Sequence, residues 1–179
     1  IREYSVKMAK QINTSQRFAI VGLSLGGMVA AEMATFLCPE VVIIISSADS
    51  ENEIPLKFRW MRSFQVYRIF SGWFYKGMSS TAQKVFEPDR KKESEIFDSM
   101  LKAKDPEFIK RAIHLVVNFK SDSVRNCPLI HIHGENDHTI PVKNINADYI
   151  IEGGSHMMLL TKGEMISAIL RRELEKYYY

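Results

Sequence analysis

Phe18-Ala19-Ile20-Val21-Gly22-Leu23-Ser24-Leu25-Gly26-Gly27-Met28 runs from one apolar segment through three glycines into another. The apolar run at 18–21 is too short for a helix, ends in Gly22 and reads as a buried strand. From Gly26 onward, Met28, Ala31, Ala34 or Thr35, and Leu37 recur at helical spacing, and Cys38-Pro39 closes the segment. Between strand and helix lies Gly22-Leu23-Ser24-Leu25-Gly26, a match to G-x-S-x-G. Patterns of this length recur by chance, so its weight comes from the strand before it and the Ala-rich helix after it. A strand turning directly into a helix holds the central residue at strained backbone angles. The flanking glycines remove Cβ atoms that would clash where the backbones approach. Such a turn presents Ser24 Oγ above the sheet edge and sets the Leu25 amide at a helix N-terminus, fit to stabilise an oxyanion. A serine in an ordinary glycine turn is the plain alternative. The phosphate-loop pattern G-x-x-x-x-G-K-[ST] is absent.

On the far side of Pro39, Val41 to Ile45 is an unbroken β-branched run, the clearest strand in the chain. A run without alternation implies cover on both faces, as in a parallel sheet. On the near side, residues 2–12 space Tyr4, Met8 and Ile12 by four, with Ala9 beside them, and predict an amphipathic helix. Residues 53–125 differ in character. They hold the aromatics Phe58, Trp60, Phe64, Tyr67, Phe70, Trp73, Phe74 and Tyr75, then a charged run from Glu87 to Glu95. Helices are predicted at 93–103 and 106–118, the second started by Asp105 as N-cap and Pro106 at the first helical position. Strands return at Pro128–Gly134 and Ala147–Ile151. A last helix runs over 162–175, with Met165, Ile166, Ile169, Leu170 and Leu174 on one face. This order predicts an α/β fold with a mostly parallel sheet and helices on both faces. It divides the chain into a core at 1–52, a helical insert at 53–125 and a core at 126–179. An insert of that length and composition commonly caps the carboxyl ends of the strands, where such folds bind ligands.

Composition narrows the function classes. A length of 179 residues suits one domain, and 46% hydrophobic with 25% charged residues describes a soluble globular chain. No run approaches the roughly 18 apolar residues of a membrane span. The net charge of +3 comes from scattered Lys and Arg, and the short run Arg90-Lys91-Lys92 is followed at once by Glu93 and Glu95. Neither a nucleic-acid partner nor a membrane is expected. Cys38 and Cys127 allow at most one bridge that nothing requires, and reduced thiols in a cytoplasmic protein are the expectation. Ile1 to Ser5 are not expected to be a signal peptide, because no apolar segment follows the charge.

A serine hydroxyl needs a base, and the base needs a carboxylate to orient it. His156 lies in Gly153-Gly154-Ser155-His156, a glycine-rich loop between the last strand and the last helix. Asp137 lies in Gly134-Glu135-Asn136-Asp137-His138-Thr139-Ile140-Pro141, directly after the preceding strand. Both emerge at the sheet edge that carries Ser24, in the chain order Ser, Asp, His. The plain alternatives are a surface histidine and a turn-capping aspartate. Asp49 and Glu135 remain as other acids. His131 and His133 alternate along one strand face with His138 nearby, an arrangement that on its own is weak evidence for a metal. His114 falls within the helix at 106–118 and reads as structural.

These motifs together resemble the α/β-hydrolase family over nearly the whole chain. Gly22–Gly27 looks like its nucleophile elbow, Val41–Ser47 like the sixth strand, and His133-Gly134 through Pro141 like the acid loop. Gly154-Ser155-His156 looks like the histidine loop, and residues 53–125 look like the helical cap. The resemblance implies a serine hydrolase, carboxylesterase-like, cleaving a small, largely apolar carboxylic ester or related acyl compound without cofactor or metal. Ser24 would attack, His156 would carry the proton, Asp137 would fix the imidazole and the Leu25 amide would hold the oxyanion. The strands that precede the elbow strand in that family have no counterpart here, so the N-terminal part of the sheet is expected to be missing, with an apolar edge uncovered. Three explanations stand: the sequence is part of a longer chain, it is a truncated product, or two copies pair and complete each other. A catalytically silent binding or interaction protein that keeps the fold is the alternative function.

Overall fold

A computed structural model describes residues 1–65, 70–74, 95, 96, 99, 100, 102–121 and 124–178. Tyr67 and Tyr75 lie outside the described residues, as does the charged run at 87–95 up to its last residue; of the predicted helix at 93–103, the described residues 95, 96, 99, 100, 102 and 103 are helical. The elements are α1 (Arg2–Ala9), β1 (Ile20–Leu23), α2 (Leu25–Met33), β2 (Val42–Ile45), a 3-10 turn (Glu51–Glu53) and α3 (Leu56–Ser63). They continue with α4 (Pro106–Val117), β3 (Leu129–Gly134), a 3-10 turn (Val142–Asn144), β4 (Tyr149–Ile151), α5 (Met158–Thr161) and α6 (Gly163–Tyr178). The fold is α/β. Among the described residues the strands form one sheet in the order β1-β2-β3-β4, every neighbouring pair parallel. All carboxyl ends therefore point to one edge, and the loops leaving β1, β3 and β4 share it.

β2 is buried at every position, as its unbroken apolar run predicts. Its alternate side chains feed two layers. Val41, Ile43 and Ile45 join Ile130, Ile132 and Ile151 beneath Ile166 and Ile169 of α6, while Val42 and Ile44 pack against Ala30 and Ala34 of α2. β1 is less buried than its apolar run alone predicts and forms, among the described residues, the uncovered apolar edge expected of this sheet. Gly22 is buried, but Val21 is 47% and Leu23 39% exposed. In register they continue the row of Ile43 and Ile45 under α6, and none of the described residues buries them.

The covered face of α1 is also not the predicted one. Tyr4 and Met8 are exposed and Ser5 is fully buried, its hydroxyl 3.5 Å from the Val29 carbonyl of α2. A small residue lets the two helix axes approach, which a large apolar side chain at that position would prevent. α4 follows its start signal: Asp105 Oδ1 accepts from the amides of Glu107 (2.7 Å) and Phe108 (3.3 Å). On α6, Ile166 and Ile169 are buried as expected, whereas Met165 is exposed and Glu173 is buried. Tyr149 and Lys176 donate to the Glu173 carboxylate. Of the aromatics at 53–125, Phe58 packs on a core of Met28, Ala48, Ile54, Phe119 and Ile140, while Trp60 and Phe64 are exposed.

Candidate active site

Ser24 is the N-cap of α2 and has φ 51° and ψ −121°, a left-handed conformation that costs a residue with a Cβ about 1–3 kcal/mol. Backbone and side-chain bonds hold it there. Its amide donates to Ile45 O of β2 (2.9 Å), its carbonyl accepts from Gly27 N (2.9 Å), and Ser47 Oγ donates to the same carbonyl (2.7 Å). Gly22 permits the turn, because a Cβ there would overlap the Gly26 carbonyl oxygen and lie 2.6 Å from Gly27 Cα. The second glycine the turn needs is Gly27, whose Cβ would strike the Ser47 side chain. Gly26 faces open space, with no atom within 4 Å of an added Cβ, which corrects the expectation that both glycines flanking Ser24 are sterically required. The Leu25 amide begins α2 and is among the first-turn amides that a helix's own ladder leaves over.

The loops after β3 and β4 close against each other. Asn136 N donates to Gly154 O (2.7 Å) and Glu135 N to Ile151 O (3.1 Å). Gly134 allows this approach, since a Cβ there would overlap the Gly154 carbonyl. The closure carries His156, half-buried, over to the elbow: its Nε2 lies 3.0 Å from Ser24 Oγ and its Nδ1 2.8 Å from Asp137 Oδ2. Asp137 is 3% exposed, and its Oδ1 accepts from the amides of Thr139 (2.9 Å) and Ile140 (2.8 Å). Burial opposes its ionisation, but the bond from His156 and the backbone amides outweigh it and hold the carboxyl below its usual range. Lys57 of α3 reaches the same loop, its Nζ 3.4 Å from His138 O. Burial pushes its pKa down, and the facing Asp137 partly restores it.

Ser24, His156 and Asp137 thus stand in one continuous chain of short polar contacts. The other acids do not reach the imidazole. Asp49 is held by the Arg125 guanidinium, and Glu135 accepts from Gly153 N (3.0 Å). His131 and His133 are fully buried with Nε2 of the first 3.2 Å from Nδ1 of the second, while His138 is exposed. Among the described residues no group of three or more His, Cys, Asp or Glu is arranged to hold a metal. His114 is exposed on α4, and Cys38 and Cys127 are unbridged. No helix among the described residues is long and apolar enough to cross a membrane.

Two contributors escaped the sequence reading. Ser47 clamps the elbow carbonyl, with only its place just after β2 to signal it, and Lys57 faces Asp137 from α3 with no signal at all.

Known structures share this arrangement of strands and helices. A thermophilic esterase superposes with a TM-score of 0.71 at 18% identity, covering 99% of this chain and 73% of its own. The chain has an α/β-hydrolase fold. MenH from S. aureus matches with a TM-score of 0.74 at 14% identity, over 99% of this chain and 76% of its own. MGS-M2, an α/β-hydrolase enzyme from a deep-sea metagenome library, matches at 0.59 and 16% identity, over 94% and 68%. No family model matches the sequence, and no curated protein sequence does either.

Proposed function

We propose that the chain is a serine hydrolase, esterase-like in chemistry, that cleaves a small and largely apolar carboxylic ester or related acyl compound through an acyl-enzyme on Ser24. The observation that carries the reading is the run of contacts from Ser24 Oγ to His156 Nε2 (3.0 Å) and from His156 Nδ1 to Asp137 Oδ2 (2.8 Å). With Nδ1–H given to Asp137, Nε2 keeps its lone pair and faces the hydroxyl. Ser24 Oγ forms a bond to the substrate carbonyl carbon as its proton passes to His156 Nε2. The Leu25 amide supports the oxyanion, an interaction whose loss costs about 10² to 10³ in rate in comparable sites. The tetrahedral adduct then breaks its bond to the leaving oxygen, which takes the proton from His156. Water, deprotonated by the same imidazole, attacks the acyl carbon and releases the acid and Ser24.

The aromatic content of the insert, with Trp60 of α3 and Phe64 just past its end exposed and their ring centroids 5.5 Å apart, is our ground for an apolar acyl or alkyl group. We read the helices of the insert at 53–125 as a cap over the site. Two unbridged thiols fit a reducing compartment such as the cytoplasm. A panel of p-nitrophenyl esters tests the reading. Turnover that favours short apolar acyl groups and is lost in Ser24→Ala is expected. A folded protein that cleaves none of the panel overturns it in favour of a silent binding protein.

A further inference from the structure

Beneath Asp137 lies a pair of buried groups that the hydrolytic scheme does not use. His133, fully buried on β3, has its Nε2 2.8 Å from the Ile140 carbonyl and 3.4 Å from Asp137 Oδ2. A carbonyl oxygen only accepts, so Nε2 of His133 carries the proton. Its Nδ1 faces Nε2 of His131 at 3.2 Å. In a neutral His133 that nitrogen is bare and accepts from His131 Nε2–H. Burial favours the neutral forms. It drives His131 down to about 3, with the adjacent His133 adding to the effect, and it lowers His133 against the opposing pull of the Ile140 carbonyl and Asp137. Other ionisable groups facing this cluster are Glu53 on the turn before α3, Lys57 on α3 and His156 on the loop after β4.

An ionised carboxylate offers about four lone-pair directions. At Asp137, Thr139 N and Ile140 N take those of Oδ1, and His156 takes one at Oδ2. Nε2 of His133 lies 3.4 Å from Oδ2, longer than an ordinary N–H···O bond, so its N–H stands beside that oxygen while bonding Ile140 O. Through Ile140 O the same N–H also ties the 137–140 turn to β3.

We propose that His133 is a positioning residue for the reaction. As a neutral donor fixed by His131, it gives Nε2–H to Ile140 O, anchors the acid loop and sets the same N–H dipole beside Asp137 Oδ2, where it competes electrostatically with His156 for the oxygen that orients the imidazole. This competition keeps Asp137 from binding the His156 proton too tightly, so that His156 can pass it to the leaving oxygen. The inference rests on the serine-hydrolase reading of Ser24, His156 and Asp137.

The test compares wild type with His133→Met, which keeps length and volume but has no N–H, and His133→Gln, whose amide N–H stands near the position of Nε2. In His133→Met, kcat falls about tenfold with KM unchanged, the loss of one weak polar contact with a charged group. The acid limb of the kcat/KM profile moves to higher pH by about half a unit, because Asp137 loses a competing donor. His133→Gln restores both. A purely structural residue would lower activity without moving the limb, so a limb that stays or moves to lower pH overturns the inference. If wild type turns over no ester, the serine-hydrolase reading fails by itself. NMR of protein with 15N-labelled histidine decides the His133 inference in that case too. The His156 Nδ1 proton resonance shifts in His133→Met and returns in His133→Gln, and an unmoved resonance overturns the proposal. Should His133→Met not fold, wild type suffices: His133 is expected to show a protonated Nε2 and a bare Nδ1, and the other tautomer or a doubly protonated ring overturns it.

Discussion

Adding a single methyl at Gly22 tests the steric logic of the elbow. The Cβ of Gly22→Ala would overlap Gly26 O and come within 2.6 Å of both Gly26 C and Gly27 Cα. Carbon atoms pack best at about 3.5–4.0 Å, so nearly an ångström must be recovered. All three obstructing atoms belong to the backbone of the first turn of α2, and none can rotate away. Relief requires β1 and α2 to separate, which strains Ser24 N–Ile45 O and Ser47 Oγ–Ser24 O. Overpacking costs about 1–3 kcal/mol, and a clash against backbone belongs at the upper end. For a domain of this size about 3 kcal/mol corresponds to a fall in Tm of roughly 6–12 °C. Gly26→Ala is the matched control. Its Cβ meets nothing within 4 Å, and alanine in a helix gains about 0.5–1 kcal/mol over glycine. Urea unfolding followed by circular dichroism measures both. A Gly22→Ala protein within about 0.5 kcal/mol of wild type would show that the elbow has room for a methyl group. A Gly26→Ala protein as destabilised as Gly22→Ala would show that the loss does not come from this clash.

Ser24→Gly is expected to be more stable than Ser24→Ala by about 1 kcal/mol, because both lose Oγ but only alanine keeps a Cβ at φ 51°; equal urea midpoints would remove strain from the account. Asp137→Asn should keep the loop, whose turn amides still find an oxygen, yet lower kcat by about 10³ to 10⁴ through the wrong imidazole tautomer. Steady-state hydrolysis with intact circular dichroism checks it, and a loss below tenfold would count against the orienting role. Stability should fall as the solution is acidified. His131 and His133 are neutral in the fold but bind protons in the unfolded chain below about pH 6.5, so the unfolded state takes up more protons. Asp137, held below its usual range, adds stability that is lost at still lower pH, as protonation reaches its folded value. Between pH 6.5 and 4.5 one such histidine accounts for roughly 2–3 kcal/mol, so His131→Leu should flatten the pH dependence of the urea midpoint. Glu53, raised by burial, works in the opposite sense and is present in both proteins. An unchanged slope in His131→Leu would contradict the buried-neutral assignment.

How much of this was legible in the sequence depends on what each pattern encodes. An unbroken run such as Val41–Ile45 states burial on both faces, and β2 is buried throughout. Val21 and Leu23 have the same composition but lie at one end of the sheet order, and a strand's own residues carry no record of its neighbours. Apolar spacing chose Tyr4 and Met8 as the inner face of α1. Close helix approach instead selected Ser5, a residue too small and polar to register as core. Chain order brought Ser24, Asp137 and His156 to one edge because parallel strands send every following loop the same way. The same logic set Asp137 ahead of Asp49, and the structure adds what occupies Asp49, the Arg125 guanidinium. Alternation placed His131 and His133 on one face of β3 but could not reveal that His133 binds Ile140 O, seven residues on.

Activation of Ser24 by His156 and Asp137 can be read from incubation of the folded protein with a fluorophosphonate, the modified peptide being identified by mass spectrometry, beside His156→Gln. One adduct is expected, on Ser24, formed rapidly in wild type and slowed by at least about 10³ in the variant. A folded wild-type protein with no adduct on Ser24, or equal labelling in the two proteins, would contradict that activation.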